Sequence, residues 1–169
     1  MNNVLLNNII RFILLILIQV GVLNQVQLGG FINPYLYILF IIMLPFNIPG
    51  WFILVLSFVM GISIDMFCNS PGIHASATVF AGFLRQYIII GMMPRENTEP
   101  ISAPNIRTFG VGWFFKYSLA IVVVHHITLF VIEAFKFSDI HLVLWRALLS
   151  IAFTMLLIFL CQFIFTRNK

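Results

Sequence analysis

Polar positions are sparse along this chain and fall between long apolar blocks. The blocks are continuous rather than alternating, so they read as helices and not as the ~10-residue alternating strands of a membrane barrel. They predict helices over about 9–28, 34–46, 49–67, 71–92, 112–135 and 139–165. The punctuation between them is turn chemistry. Gly29-Gly30 and Asn33-Pro34 separate the first two, with Asn33 as an N-cap and Pro34 in the first turn. Pro45, Pro49 and Gly50 make a tight turn, and Ser70-Pro71 reads as cap and first position of the fourth helix. Pro94–Gly110 is the single extended polar stretch, and its three prolines keep it from being helical throughout. Ser138 or Asp139 reads as the cap of the last helix. The second block is short for a span, which suggests a tilted crossing or a re-entrant segment.

Composition turns this pattern into a class. The chain has 169 residues, of which 62% are hydrophobic and 8% charged. Soluble domains carry about 25% charged residues, and nineteen Phe exceed what a soluble core of this size hides. The expected fold is all-α: one polytopic transmembrane domain, 1–169, of six helices. The net charge of +4 is not a nucleic-acid signal, because the nine basic residues are scattered at helix ends. Arg11, Arg95, Arg107, Lys116, Arg167 and Lys169 fall on one side of a six-span map, and Lys136 with Arg146 on the other. This places both termini and the 94–110 loop in the cytoplasm and the Asp65–His74 turn outside. Cys68 and Cys161 lie in separate blocks without ligand spacing, so neither a disulfide framework nor zinc is expected.

The ionisable residues inside the blocks are the candidates for chemistry. Ser57, Gly61 and Asp65 share one helix face, and Ala77/Ala81 and Thr78/Gly82 have the small-xxx-small spacing that lets helices approach closely. Asp65, at a helix C-terminus, meets an unfavourable dipole and needs compensation from a structural partner, a second protein or a transported ligand. His74 reads as an interfacial hydrogen-bonding group, and Arg85 as a cation that snorkels to headgroups. His125 and His126 point about 100° apart on their helix, so they do not share a metal in the i, i+4 manner. They read as a hydrogen-bonded pair, with a metal or proton-relay role as the sharper option. Arg146 is expected to pair with Asp65, or else with Glu133, which already has Lys136 near it; Ser150 and Thr154 continue the Arg146 face. Trp51, Trp113 and Trp145 read as interfacial anchors. No Gly-x-Ser-x-Gly or zinc-protease pattern occurs, so no catalytic, cofactor or metal residues are assigned.

The opening IIRFILLILIQVGVLN, the segment NPYLYILFIIMLPF and above all GISIDMFCNSPGIHASATVFAGFLR resemble the rod shape-determining membrane protein family MreD. The resemblance covers about 9–165 and is firmest over 24–90, and Asp65, Pro71 and Gly72 fall on its acid–turn–Gly motif. It implies a fold similar to the substrate-binding subunits of energy-coupling-factor transporters. It further implies a non-enzymatic inner-membrane subunit acting with an MreC-like bitopic protein, a RodA-type glycosyltransferase and its transpeptidase, and an MreB-like filament. The remaining partner is membrane lipid. The alternative expectation is a vitamin-type transporter substrate-binding subunit, since the implied fold can cradle a small molecule on its outer side.

Overall fold

A computed structural model describes residues 2–25, 32–92, 103–134 and 140–167. Gly29-Gly30, Arg95, Glu96, Glu99, Lys136, Ser138, Asp139 and Lys169, with most of the 94–110 loop, lie outside the described residues. The described chain is helical: α1 (Asn2–Ile18), α2 (Leu39–Ile42), α3 (Gly50–Cys68), α4 (Ile73–Met92), α5 (Ile106–Ala134) and α6 (Ile140–Arg167). A π-helical turn, Gln19–Leu23, continues α1, and a 3₁₀ turn, Leu36–Ile38, leads into α2. Gly110, at φ 79° and ψ 162°, breaks the start of α5, so the continuous part of that helix begins near the expected 112. Among the described residues five helices are long and apolar enough to cross a membrane, which makes this a multi-pass membrane protein.

The second block departs from expectation. In place of a helix over 34–46 the chain forms one 3₁₀ turn and the four-residue α2. Yet Tyr35–Leu44 is buried at every position, and half of its side chains are fully enclosed. Tyr37 reaches His74, and Leu44 meets Arg85, so the segment runs parallel to α4. Tyr35 meets Thr154 and Met43 meets Gln162, which sets it parallel to α6 as well. Tyr37 meets His125 and Ile42 meets Tyr117, so it runs antiparallel to α5. The direction is that of a second crossing, but the strand of chain is threaded through the middle of the bundle instead of standing in its outer ring. Full enclosure explains why it need not be a regular helix: irregular backbone is tolerated at membrane depth where protein surrounds it.

The outer ring faces lipid with large apolar side chains, such as Leu17, Phe58, Phe80, Ile90, Leu148 and Phe163. Trp51 and Trp145 are exposed in the manner expected of anchors, whereas Trp113 is half-buried and donates its indole N–H to the Met92 carbonyl at 2.9 Å. Inside the ring α3 and α4 make the closest pairing, followed by α4 with α5 and α5 with α6. The α3–α4 contact depends on small residues. A Cβ on Gly61 would lie 2.4 Å from the Cα of Ala75 and 2.7 Å from the His74 carbonyl oxygen, which is rigid backbone. A Cβ on Gly82 would lie 2.3 Å from the Ser57 hydroxyl oxygen. Ser57 disposes of its own polar group by donating to the Ile53 carbonyl at 2.7 Å.

Gly61→Ala therefore has no space without moving α4 off α3. Overpacking of this kind costs ~1–3 kcal/mol. Thermal unfolding in detergent should show a lowered midpoint for Gly61→Ala and little change for Gly91→Ala, whose Cβ would meet nothing within 4 Å. Equal midpoints for the two variants would mean that the helices are not in backbone contact at Gly61.

Candidate functional site

The polar side chains of the bundle converge on the threaded segment. An irregular backbone leaves N–H and C=O groups without helical partners, and each unsatisfied group costs several kcal/mol in hydrocarbon. Along 33–44 they are met by side chains from four long helices. The N–H groups of Asn33 and Tyr35 donate to Ser150 and Thr154 of α6, both at 3.0 Å. Gln19, in the π-helical turn, bridges two further backbone groups: its amide N–H donates to the Pro34 carbonyl at 3.0 Å, and its amide oxygen accepts from the Tyr37 N–H at 3.4 Å.

At the other end of the segment three successive carbonyls leave α2 without intrahelical donors. Tyr117 of α5 donates its hydroxyl to the Ile42 carbonyl at 3.0 Å. Arg11 of α1 reaches the Met43 carbonyl at 3.4 Å. Arg85 of α4 donates to the Leu44 carbonyl and, through Nε, to the Tyr117 hydroxyl at 3.0 Å. Basic side chains at a helix C-terminus suit both the free carbonyls and the dipole. Arg85 thus does not snorkel to headgroups, contrary to its sequence reading. It is 1% exposed, and its guanidinium caps a helix end inside the bundle with the Phe46 ring 6.0 Å away.

Asp65 is 4% exposed, and it does not pair with Arg146. One carboxylate oxygen accepts from the Ser70 hydroxyl at 2.8 Å and the His74 N–H at 3.0 Å, and the other from the Ala75 N–H at 2.9 Å. The compensation that its position at the C-terminus of α3 demands comes from the N-terminus of α4, whose free N–H groups and positive dipole end it receives. Ser70 therefore serves Asp65 and does not itself cap α4, and Pro71 and Gly72 form the turn that precedes Ile73. Asn69 at φ 54° and Gly72 at φ 82° supply the left-handed backbone of that turn. The preferred Arg146–Asp65 pair is replaced by Arg146 with Glu133, 3.5 Å apart, and Asp65 is held instead by Ser70 and the first N–H groups of α4. Arg146 also lies over the Phe130 ring at 5.3 Å, and its Nε is buried without a hydrogen-bond partner.

Three of the four histidines form one buried chain. His74 Nδ1 lies 2.9 Å from the Tyr37 hydroxyl, which lies 2.7 Å from His125 Nε2. His125 Nδ1 and His126 Nδ1 are 3.4 Å apart, His126 Nδ1 is 2.9 Å from the Val122 carbonyl, and His126 Nε2 is 3.0 Å from Thr154 Oγ1. His125 and His126 are thus in mutual contact, and the Thr154 hydroxyl links them to the threaded backbone. His74, the second residue of α4, is 5% exposed. Among the described residues no three His, Cys, Asp or Glu side chains stand together as a metal site.

Beside this chain, at the end of the bundle that carries the α3–α4 turn, lies a cavity of about 410 Å³. Asn24, Asn33, Cys68, Ser70, His74 and Glu133 give it polar groups, and Leu23, Phe67, Ile73 and Leu129 give it apolar wall. The sequence reading passed over Tyr37, Tyr117 and the binding of backbone by Gln19. The placement of Ser150 and Thr154 on the Arg146 face was the visible signal for the α6 contacts.

Two substitutions measure these roles. Tyr117→Phe leaves the Ile42 carbonyl without a donor and should destabilise by ~1–3 kcal/mol in detergent unfolding, against no change for Tyr87→Phe on the exposed face. Asp65→Ala frees two helix N–H groups and should cost more than Asp65→Asn, which keeps an acceptor oxygen; loss of such a cap is worth ~0.5–2 kcal/mol. An Asp65→Ala protein as stable as wild type would remove the carboxylate from the fold's requirements. Comparison of the chain with protein-family models, with curated proteins and with solved structures gives no match.

Proposed function

We propose that this chain is a non-enzymatic subunit of the bacterial rod-elongation machinery, held in the inner membrane with both termini in the cytoplasm. In this reading it joins an MreC-like bitopic protein to a RodA-type glycosyltransferase and its transpeptidase, with the MreB-like filament reached on the cytoplasmic side. The sequence resemblance over 24–90 is one support. The observation that carries the reading is how the buried polar groups are used: Arg11, Gln19, Arg85, Tyr117, Ser150 and Thr154 all bind the chain's own backbone between 33 and 44. Side chains committed in this way build a rigid platform. With the threaded segment counted as the second of six crossings, the α3–α4 turn faces outward and the 94–110 loop inward, as the basic residues require.

A second reading, a substrate-binding subunit for a small molecule, is favoured by the cavity beside His74. The two readings separate in one preparation. Affinity purification of the tagged chain from mildly solubilised membranes should recover a bitopic coiled-coil protein and wall synthases at near-stoichiometric levels. Recovery of an ATP-driven transport module in their place would overturn the elongation reading and select the second.

A further inference from the structure

The hydrogen-bond chain through the histidines has a direction, and it ends at the cavity. The Val122 carbonyl only accepts, so His126 carries its proton on Nδ1, and its Nε2 accepts from the Thr154 hydroxyl. That hydroxyl in turn accepts from the Tyr35 N–H. His125 Nδ1 faces a protonated nitrogen and so is the bare one, which puts the His125 proton on Nε2. Nε2 donates to the Tyr37 oxygen, and the Tyr37 hydroxyl, which also meets Thr78, can donate to His74 Nδ1. With Nδ1 accepting, neutral His74 carries its proton on Nε2. That N–H has no partner among the described residues, although the His74 residue is 5% exposed and lines the cavity.

A histidine N–H at the wall of a cavity, with the other ring nitrogen held by Tyr37, is a recognition element. We propose that the cavity is a binding site for an uncharged, ring-sized molecule whose carbonyl or equivalent acceptor takes the His74 Nε2–H. The volume of about 410 Å³ lies within the range of small-molecule sites. The charge balance selects a neutral ligand: Glu133 at the wall is matched by Arg146, and Asp65 behind the floor is filled by the α4 N–H groups. Asn24, Asn33 and Ser70 supply further hydrogen-bonding groups, and Leu23, Phe67 and Ile73 bracket an apolar body. The assignment deepens the second reading but does not depend on it, because a shape-complex subunit can hold a ligand at the same place. Failure of the co-purification experiment leaves it standing.

Cys68 lines the cavity and reports on it. In Cys161→Ala protein in nanodiscs, the rate of Cys68 alkylation by N-ethylmaleimide is followed with nicotinamide as the probe and toluene as its counterpart without an acceptor. Nicotinamide should protect saturably, and toluene should bind about fivefold more weakly, the value of one neutral hydrogen bond. His74→Phe should erase the difference between the probes. Leu23→Trp, which keeps His74 and fills the mouth, should erase protection by both and keeps the test decisive if His74→Phe fails to fold. Three results overturn the proposal: no protection by nicotinamide, equal protection by the two probes in the unaltered site, or a phospholipid in native mass spectra whose removal alone exposes Cys68.

Discussion

A backbone that leaves the helix inside a membrane must find hydrogen bonds, and this constraint organises the whole molecule. Residues 33–44 run through the centre of the bundle with only a 3₁₀ turn and a four-residue helix of their own. Where protein encloses the segment, stray N–H and C=O groups have to be met by protein. The polar residues of α1, α4, α5 and α6 sit where those groups emerge. Arg85 shows the consequence most clearly. A guanidinium in an apolar bundle is costly in isolation, but between the Leu44 carbonyl and the Tyr117 hydroxyl it replaces the hydration it lost.

The close pairing of α3 and α4 solves a related problem. The α3–α4 turn leaves carbonyls at one helix end and N–H groups at the next. Asp65 connects them, standing at the end of α3 and accepting from the first N–H groups of α4. It can do so only because Gly61 lets the helices touch at Ala75. A larger residue at 61 would draw the carboxylate away from the donors it serves, so the small-residue stripe and the acid belong to one device.

The same geometry bears on function. Side chains spent on the backbone are not free for a ligand, which is what the proposed docking role would require of them. His74 is where the network stays open, since one of its nitrogens is held by Tyr37 and the other is not engaged. The platform and the pocket are thus products of the same buried chain and need not belong to different functions.

Residue order alone carried the class, the spans from α3 onward and the α3–α4 hairpin, whereas the first helix begins at Asn2 and not near 9. Those properties follow from local hydropathy, from turn residues such as Asn69-Ser70-Pro71-Gly72, and from the spacing of small residues, all readable within a few positions. What tertiary structure decided were the partners. Arg146 meets Glu133 and not Asp65, which is held instead by Ser70 and the first N–H groups of α4. Arg85 turns inward, because Leu44 and Tyr117, far away in sequence, place acceptors there. The block 34–46 is apolar enough to be a helix, yet it threads the core half-wound, because Gln19, Tyr117, Ser150 and Thr154 offer its backbone the bonds a helix would have made internally. Hydropathy records that a segment is buried. It carries no record of what surrounds the segment, and in a membrane the surroundings decide whether a backbone must be helical.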